Sequence, residues 1–220
     1  MTIILNSEDI KKCVQLNDEL IPVIEEAFKS LASGKTVMPP ILRLDIEKYH
    51  GESDVKAAYI DGLDSYAIKV ASGFFNNPKL GIPSSNGLMI LLNSQTGVLK
   101  TVLLDKGYLT DVRTAIAGAI SAKYLSNTDS TKAGIIGAGI QAKLQLESLL
   151  LVRKINKAFI WAREIEKANK FCEELKYLNI NLEVCNLIED VVKKSDIVVT
   201  TTPSKSPLIK NDWLKKGLHI

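Results

Sequence analysis

The segment AGIIGAGIQAKLQLESLL, residues 133–150, carries the most chemically suggestive spacing in the chain. Within it GAGIQA, Gly137 to Ala142, fits the pattern G-x-G-x-x-A after a short apolar run. In such a turn the first glycine, Gly137, permits the bend. The second, Gly139, lets backbone N–H groups approach a pyrophosphate, and a small residue at Ala142 allows close helix–strand packing. The helix that follows would add unsatisfied donors and a partial positive charge. Glycines also fill turns for purely conformational reasons. The strand–turn–helix setting is what favours a bound dinucleotide.

The end of the following strand decides which dinucleotide. An acid there binds the ribose 2′-hydroxyl of NAD, whereas an arginine accommodates the 2′-phosphate of NADP. KAFIWARE puts Ala162 at that point, then Arg163 and Glu164. Arg163 favours NADP(H), and an acid one position late leaves NAD(H) possible. The alternative is a surface cation at the start of the next helix.

Only four of the 28 basic residues are arginine: Arg43, Arg113, Arg153 and Arg163. In a lysine-rich chain an arginine suggests a need for its planar fork. Arg113 is read in the first turn of a helix capped by Thr110, where a cation opposes the helix dipole unless an anion joins them. A salt bridge to Asp111 is the competing reading. Lys69 interrupts YAIKVA on the side of Ala67 and Ala71. In a pocket it would polarise a carbonyl or imine, or exchange a proton; on an open sheet face it would be ordinary. Arg43 alternates with Leu42 and Leu44 in ILRLDI, and a solvent-facing strand arginine reads equally well.

These residues need a scaffold. With 220 residues, 46% of them hydrophobic and 24% charged, the chain suits two small globular domains. A net charge of +3 without a basic block gives no reason to expect nucleic acid. Cys13, Cys172 and Cys185 make neither a disulfide framework nor a zinc spacing, so reduced thiols and no metal are expected. MTIILNSEDIKK meets charge too early for a signal peptide, and no apolar run approaches a membrane span. The expected location is the cytoplasm.

Residues 1–126 read as an α+β domain. Ser7 can cap a short turn, and a helix runs from about Pro22 to a stop at Gly34. Five strands follow in ILRLDI, DVKAAYI, SYAIKVA, GLMILLN and VLKTVLL, the last two joined as a hairpin by NSQTG. A small-residue helix over 110–125 and the polar linker SNTDSTK close the domain. Residues 127–220 alternate apolar strands with amphipathic helices, which predicts a doubly wound parallel sheet and an α/β class. WLKKGLHI reads as a strand just starting, so this second domain is expected to be incomplete.

IKVASGFFNNPKLGIPSSNGLMILL, YLTDVRTAIAGA and GAGIQA together resemble the ornithine cyclodeaminase/mu-crystallin family across essentially all 220 residues. PPILRLDI and IWARE are similar to its ectoine-utilisation branch. The resemblance implies an N-terminal substrate-binding and dimerising domain joined to a Rossmann domain. It also implies an NAD(P)(H)-dependent enzyme working at an amino or imino carbon of a small amino acid. Cyclodeaminases, alanine dehydrogenases and ketimine reductases are such enzymes. By position it makes Lys69 and Arg113 catalytic and substrate-contacting, Arg43 a substrate-carboxylate residue, and Ser84 a cofactor-contacting hydroxyl. It puts Ile140 and Gln141 at the pyrophosphate turn, and Thr201 and Thr202 beside the nicotinamide half. The family's acidic residue lies in the segment after this chain stops. The competing readings are a non-catalytic NADPH-binding protein and an inactive fragment.

Overall fold

The computed structural model describes residues 1–220, and their contacts divide them into two compact units. The first comprises Met1–Gln15 and Val23–Thr110; the second comprises Leu16–Pro22 and Asp111–Ile220.

The first unit opens with β1 (Ile3–Asn6) and α1 (Ser7–Cys13). Asn6, not Ser7, caps α1. Its Oδ1 accepts from the Glu8 and Asp9 amides at 2.9 and 3.1 Å, and the Asp9 carboxylate accepts from the Asn6 amide at 3.3 Å. This reciprocal arrangement satisfies donors that a serine one position later could not reach. The next helix, α2 (Leu20–Ala32), begins two residues before Pro22 and ends before Gly34, whose φ of +73° turns the chain away.

Six more strands follow: β2 (Thr36–Val37), β3 (Leu42–Ile46), β4 (Gly51–Ile60), β5 (Ser65–Phe74), β6 (Ser85–Asn93) and β7 (Leu99–Leu104). They form a sheet of order β1-β7-β6-β5-β4-β2, with β3 also on β4; only β1 and β7 run parallel. The β6–β7 hairpin closes as its sequence suggests. Asn93 Oδ1 gathers the Gln95 amide, the Thr96 amide and the Thr96 hydroxyl within 3.0 Å, and Gly97 takes a positive φ. Strands β1 and β2 were too short to register as alternating runs.

Register sorts the strand residues between two faces. Arg43, Asp54, Ala71 and Gly87 lie in one cross-strand row, and Lys56, Lys69 and Met89 in the next row of the same face. The opposite face carries Leu42, Val55, Val70 and Leu88 in one row and Ala57, Ile68, Ile90 and Val102 in another. Leu42 and Leu44 on this apolar face are each 55% exposed.

The second unit is built on β8 (Lys132–Ile136), α4 (Ile140–Val152), β9 (Lys157–Trp161), α5 (Ile165–Glu174), β10 (Asn181–Val184), α6 (Ile188–Lys194) and β11 (Ile197–Thr200). All four strands are parallel, in the order β10-β9-β8-β11. Neighbouring strand residues feed opposite faces. Ile135, Ile160 and Ile197 join Leu146, Leu149 and Phe171 in one core, while Ile136, Phe159 and Val198 join Val191 and Val192 in the other. Burial on both faces explains why these strands read as continuous apolar runs.

The contacts divide the chain at 110/111, inside the helix that the sequence assigns to the first domain. From Asp111 onward α3 (Tyr108–Leu125) belongs to the second unit because its small face packs on α4. The Ser148 hydroxyl donates to the Ala115 carbonyl at 2.9 Å and the Gln145 amide to the Thr114 carbonyl at 3.1 Å. A Cβ at Gly118 would meet the tip of the Gln145 side chain, so the glycine leaves room for that amide between the helices. Arg153, the C-cap residue of α4, turns its guanidinium onto the end of α3. It donates to the carbonyls of Ala122, Lys123, Ser126 and Asn127 at 2.8 to 3.1 Å, and to its neighbour Val152 at 2.9 Å. Near Ile220 the chain lies along β11, with the Val198 amide donating to the His219 carbonyl at 2.8 Å and the His219 amide to the Asp196 carbonyl at 3.0 Å. No helix is long and apolar enough to cross a membrane.

Candidate functional site

The two glycines of the turn are there for different reasons. Gly137 sits at φ +132°, and a Cβ there would lie 2.5 Å from Thr201 Oγ1 and 2.7 Å from the Thr201 carbonyl oxygen. Thr201 is fixed in that position because its amide and hydroxyl both donate to the Ile136 carbonyl, at 2.9 and 3.2 Å. Gly137 is thus demanded from within the fold. Gly139 is not: its φ of −105° suits any residue, and nothing lies within 4 Å of where its Cβ would be. The space in front of it is open.

Gly139 is also the N-cap of α4, and no side chain caps that helix or places an acid in its first turn. The first amides of α4 and the positive end of its dipole therefore face outward, which suits an anion. Ile140 is exposed beside the turn, while Ala142 is fully buried against the sheet, as close helix–strand packing requires. The residues fit a dinucleotide pyrophosphate: Gly139, Ile140 and Gln141 would hold it through backbone N–H groups. The Gln141 side chain is committed elsewhere, donating to the Asp111 carbonyl at 3.2 Å and its carboxylate at 2.9 Å.

Past β9, Ala162 is half-buried and Arg163 exposed. Glu164 becomes the N-cap residue of α5, with its carboxylate held by Lys167 Nζ at 2.7 Å. Thr202 Oγ1 accepts from the Ser204 amide at 3.3 Å, ordering the loop after β11. Ser84 belongs to the first unit, where its carbonyl accepts from the Phe74 amide at 2.8 Å just before β6.

Arg113 does not stand in a first helical turn. Helix α3 starts at Tyr108, so Arg113 is its sixth residue; Thr110 lies inside the helix, and the Asp105 carboxylate takes the Leu109 amide at 2.8 Å instead. The dipole argument for an anion at Arg113 therefore falls away. What remains is its surroundings. The residue is exposed, yet burial around its guanidinium lowers its pKa, and only the Asp111 charge pulls the other way. A cation partly stripped of water gains from an incoming carboxylate.

Arg43 already has carboxylates. Its guanidinium lies 3.0 Å from Asp45, 2.5 Å from Glu52 and 3.7 Å from Asp54, with its side chain 47% exposed, and hydrogen bonds to Asp45 and Glu52 raise its pKa. A substrate carboxylate would have to share it. Lys69 lies on the same sheet face, opposite Lys56, whose ammonium is 3.0 Å from Asp54. Asp54 is the residue that the sequence reading passed over. It is largely buried, it faces Arg43 across the strands, and its Oδ1 has no hydrogen-bond partner. The signal was present in DVKAAYI, where alternation puts Asp54 and Lys56 on one side.

A profile of the ornithine cyclodeaminase/mu-crystallin family matches residues 1–220. An uncharacterised cyclodeaminase of Sinorhizobium fredii is 49% identical over 219 residues, which cover 99% of this chain and 66% of that protein. Among solved structures, the Δ1-pyrroline-2-carboxylate reductase of Thermococcus litoralis, in complex with NADH and L-proline, superposes with a TM-score of 0.93 at 33% identity. The match covers 99% of this chain and 67% of that one. An archaeal alanine dehydrogenase dimer with bound NAD gives a TM-score of 0.90 at 34% identity, covering 99% and 66%. The chain thus spans about two thirds of the length of the relatives it matches.

Proposed function

The chain belongs to the ornithine cyclodeaminase/mu-crystallin family, and from that premise we propose that it serves an NAD(P)-dependent enzyme acting at the amino or imino carbon of a small amino acid. The observation that carries this reading is Gly139, a glycine with no internal reason to be one, opening onto an uncapped helix N-terminus. A nicotinamide bound there would supply or accept hydride. The protein's part is to bind, orient and move protons.

The resemblance assigns Arg113 and Arg43 each to the substrate carboxylate. Lys69 holds or protonates the leaving nitrogen or oxygen. Holding the substrate by its carboxylate fixes the α-carbon, which is where proximity lowers the barrier. Arg163 favours NADP(H) over NAD(H). The exposed apolar face of the first unit's sheet supports a homodimer through that face. The free thiols of Cys13, Cys172 and Cys185 accord with a cytoplasmic protein. Within the substrate class, the similarity to the ectoine-utilisation branch suggests a diaminobutyrate-related or ectoine-derived imine.

Titration with NADPH and NADH, followed by nicotinamide fluorescence, tests the reading. Binding of neither would sink it. Arg113→Ala should then weaken amino-acid binding and leave nucleotide affinity unchanged, whereas equal loss of both would refute its assignment. Reduction assays with cyclic and linear imino acids sort reductase from cyclodeaminase.

A further inference from the structure

We propose that Lys167, acting with Arg163, is a recognition residue for a phosphate at the adenosine 2′ position, and that the cavity beside it receives that phosphorylated ribose. This rests on the dinucleotide reading above.

A cavity of about 190 Å³ opens between the glycine turn and α5. Its walls are Ala138, the residue between Gly137 and Gly139, and the side chains of Lys167, Lys170, Phe171 and Glu174. These four recur at helical spacing and so present one face of α5 to the turn. The cavity therefore adjoins the backbone that would hold the pyrophosphate. The polar groups on its α5 wall include two ammonium ions.

Lys167 stands in the first turn of α5, three residues past the N-cap Glu164. A cation is disfavoured at that end of a helix. Here Glu164 offsets it, and the consequence for specificity is double. With its Oε1 engaged at 2.7 Å, Glu164 keeps only its second oxygen fully open to the ribose hydroxyls of NAD. The ammonium has three donors, and this contact occupies one. A 2′-phosphate arriving at the end of β9 would meet Arg163 just past the strand and Lys167 in the first turn of α5, two cations suited to a doubly charged oxyanion. Lys170 is drawn the other way, 3.7 Å from Glu174.

The test is the ratio of NADPH to NADH dissociation constants, measured by nicotinamide fluorescence for the wild-type chain and for Lys167→Ala, Lys167→Glu and Lys167→Arg. Lys167→Ala should weaken NADPH about tenfold, the scale of one charge-assisted hydrogen bond. NADH should bind as before or more tightly, because Glu164 is released. Lys167→Glu should reverse any preference, and Lys167→Arg should restore it. Raised salt should cost NADPH more than NADH. A ratio that stays constant across the variants overturns the inference and leaves the dinucleotide reading standing. So does a wild-type chain that prefers NADH by more than tenfold. Failure of both nucleotides to bind overturns the two together.

Discussion

Gly137 and Thr201 touch so closely that no side chain fits between them, and the carbonyl of Ile136 holds the threonine there with two hydrogen bonds. A side chain at Gly139, two residues on, would meet nothing within 4 Å. The two glycines should therefore fail differently. Gly137→Ala forces a side chain onto a positive φ and into Thr201, and should cost about 1–3 kcal/mol of stability in chemical denaturation. Gly139→Ala should leave stability within about 0.5 kcal/mol and weaken nucleotide binding about tenfold, close to 1.4 kcal/mol. Unfolding by the second variant, or nucleotide affinity untouched by it, would mean that the open space has another purpose.

Arg43 is half-exposed and shared among three carboxylates. Exposed ion pairs contribute little to folding, so Arg43→Ala should leave the melting temperature nearly unchanged while raising KM for the amino acid. A large loss of stability with KM unaltered would make the arginine a strut of the sheet instead of a ligand.

Asp54 carries the same question with opposite sign. Its Oδ1, which makes no hydrogen bond, and its place between Arg43 and Lys56 suit a residue that competes with substrate for those cations. Asp54→Asn should tighten carboxylate binding if that competition is real, as a titration with a small amino acid would show. Weakened binding would instead mark the acid as a partner for a substrate ammonium.

Leu42 and Leu44 project from the apolar face of the first unit's sheet, each more than half exposed. Replacing both by Asp should convert a dimer to a monomer in sedimentation velocity at micromolar protein. A wild-type chain that is already monomeric at high concentration would remove the proposed interface.

His219 titrates below its usual value of about 6.5 because burial, with Arg153 as a smaller cause, disfavours its charged form. As pH falls through about 6.5, the unfolded chain therefore takes up a proton that the folded one refuses. Stability is full above that pH, declines as the pH drops toward the lowered folded value, and levels off below it. His219→Asn should flatten this part of the profile of denaturation midpoint against pH. A profile unchanged by the substitution would assign the slope to other groups.

The parallel sheet was legible because β8, β9 and β11 bury both faces, and that leaves an unbroken apolar signature. The glycine turn was legible through its setting. What the residues did not disclose was ownership of shared atoms. Thr110 and Asp105 both stand near the start of α3, and only the fold shows that Asp105 reaches the Leu109 amide. The small face of α3 announces a close neighbour but not that the neighbour is α4. Asp54 and Lys167 escaped notice because a charge in an alternating strand or a helix turn reads as solvated surface until its neighbours are known.

Arg153 grips the last carbonyls of α3 while itself ending α4, so one guanidinium closes two helices at once. Neither terminus can fray alone. Amide hydrogens in the final turns of both helices should exchange with deuterium as a single cooperative group, and a lysine in that place, with its compact head and fewer donors, would let the two ends open independently.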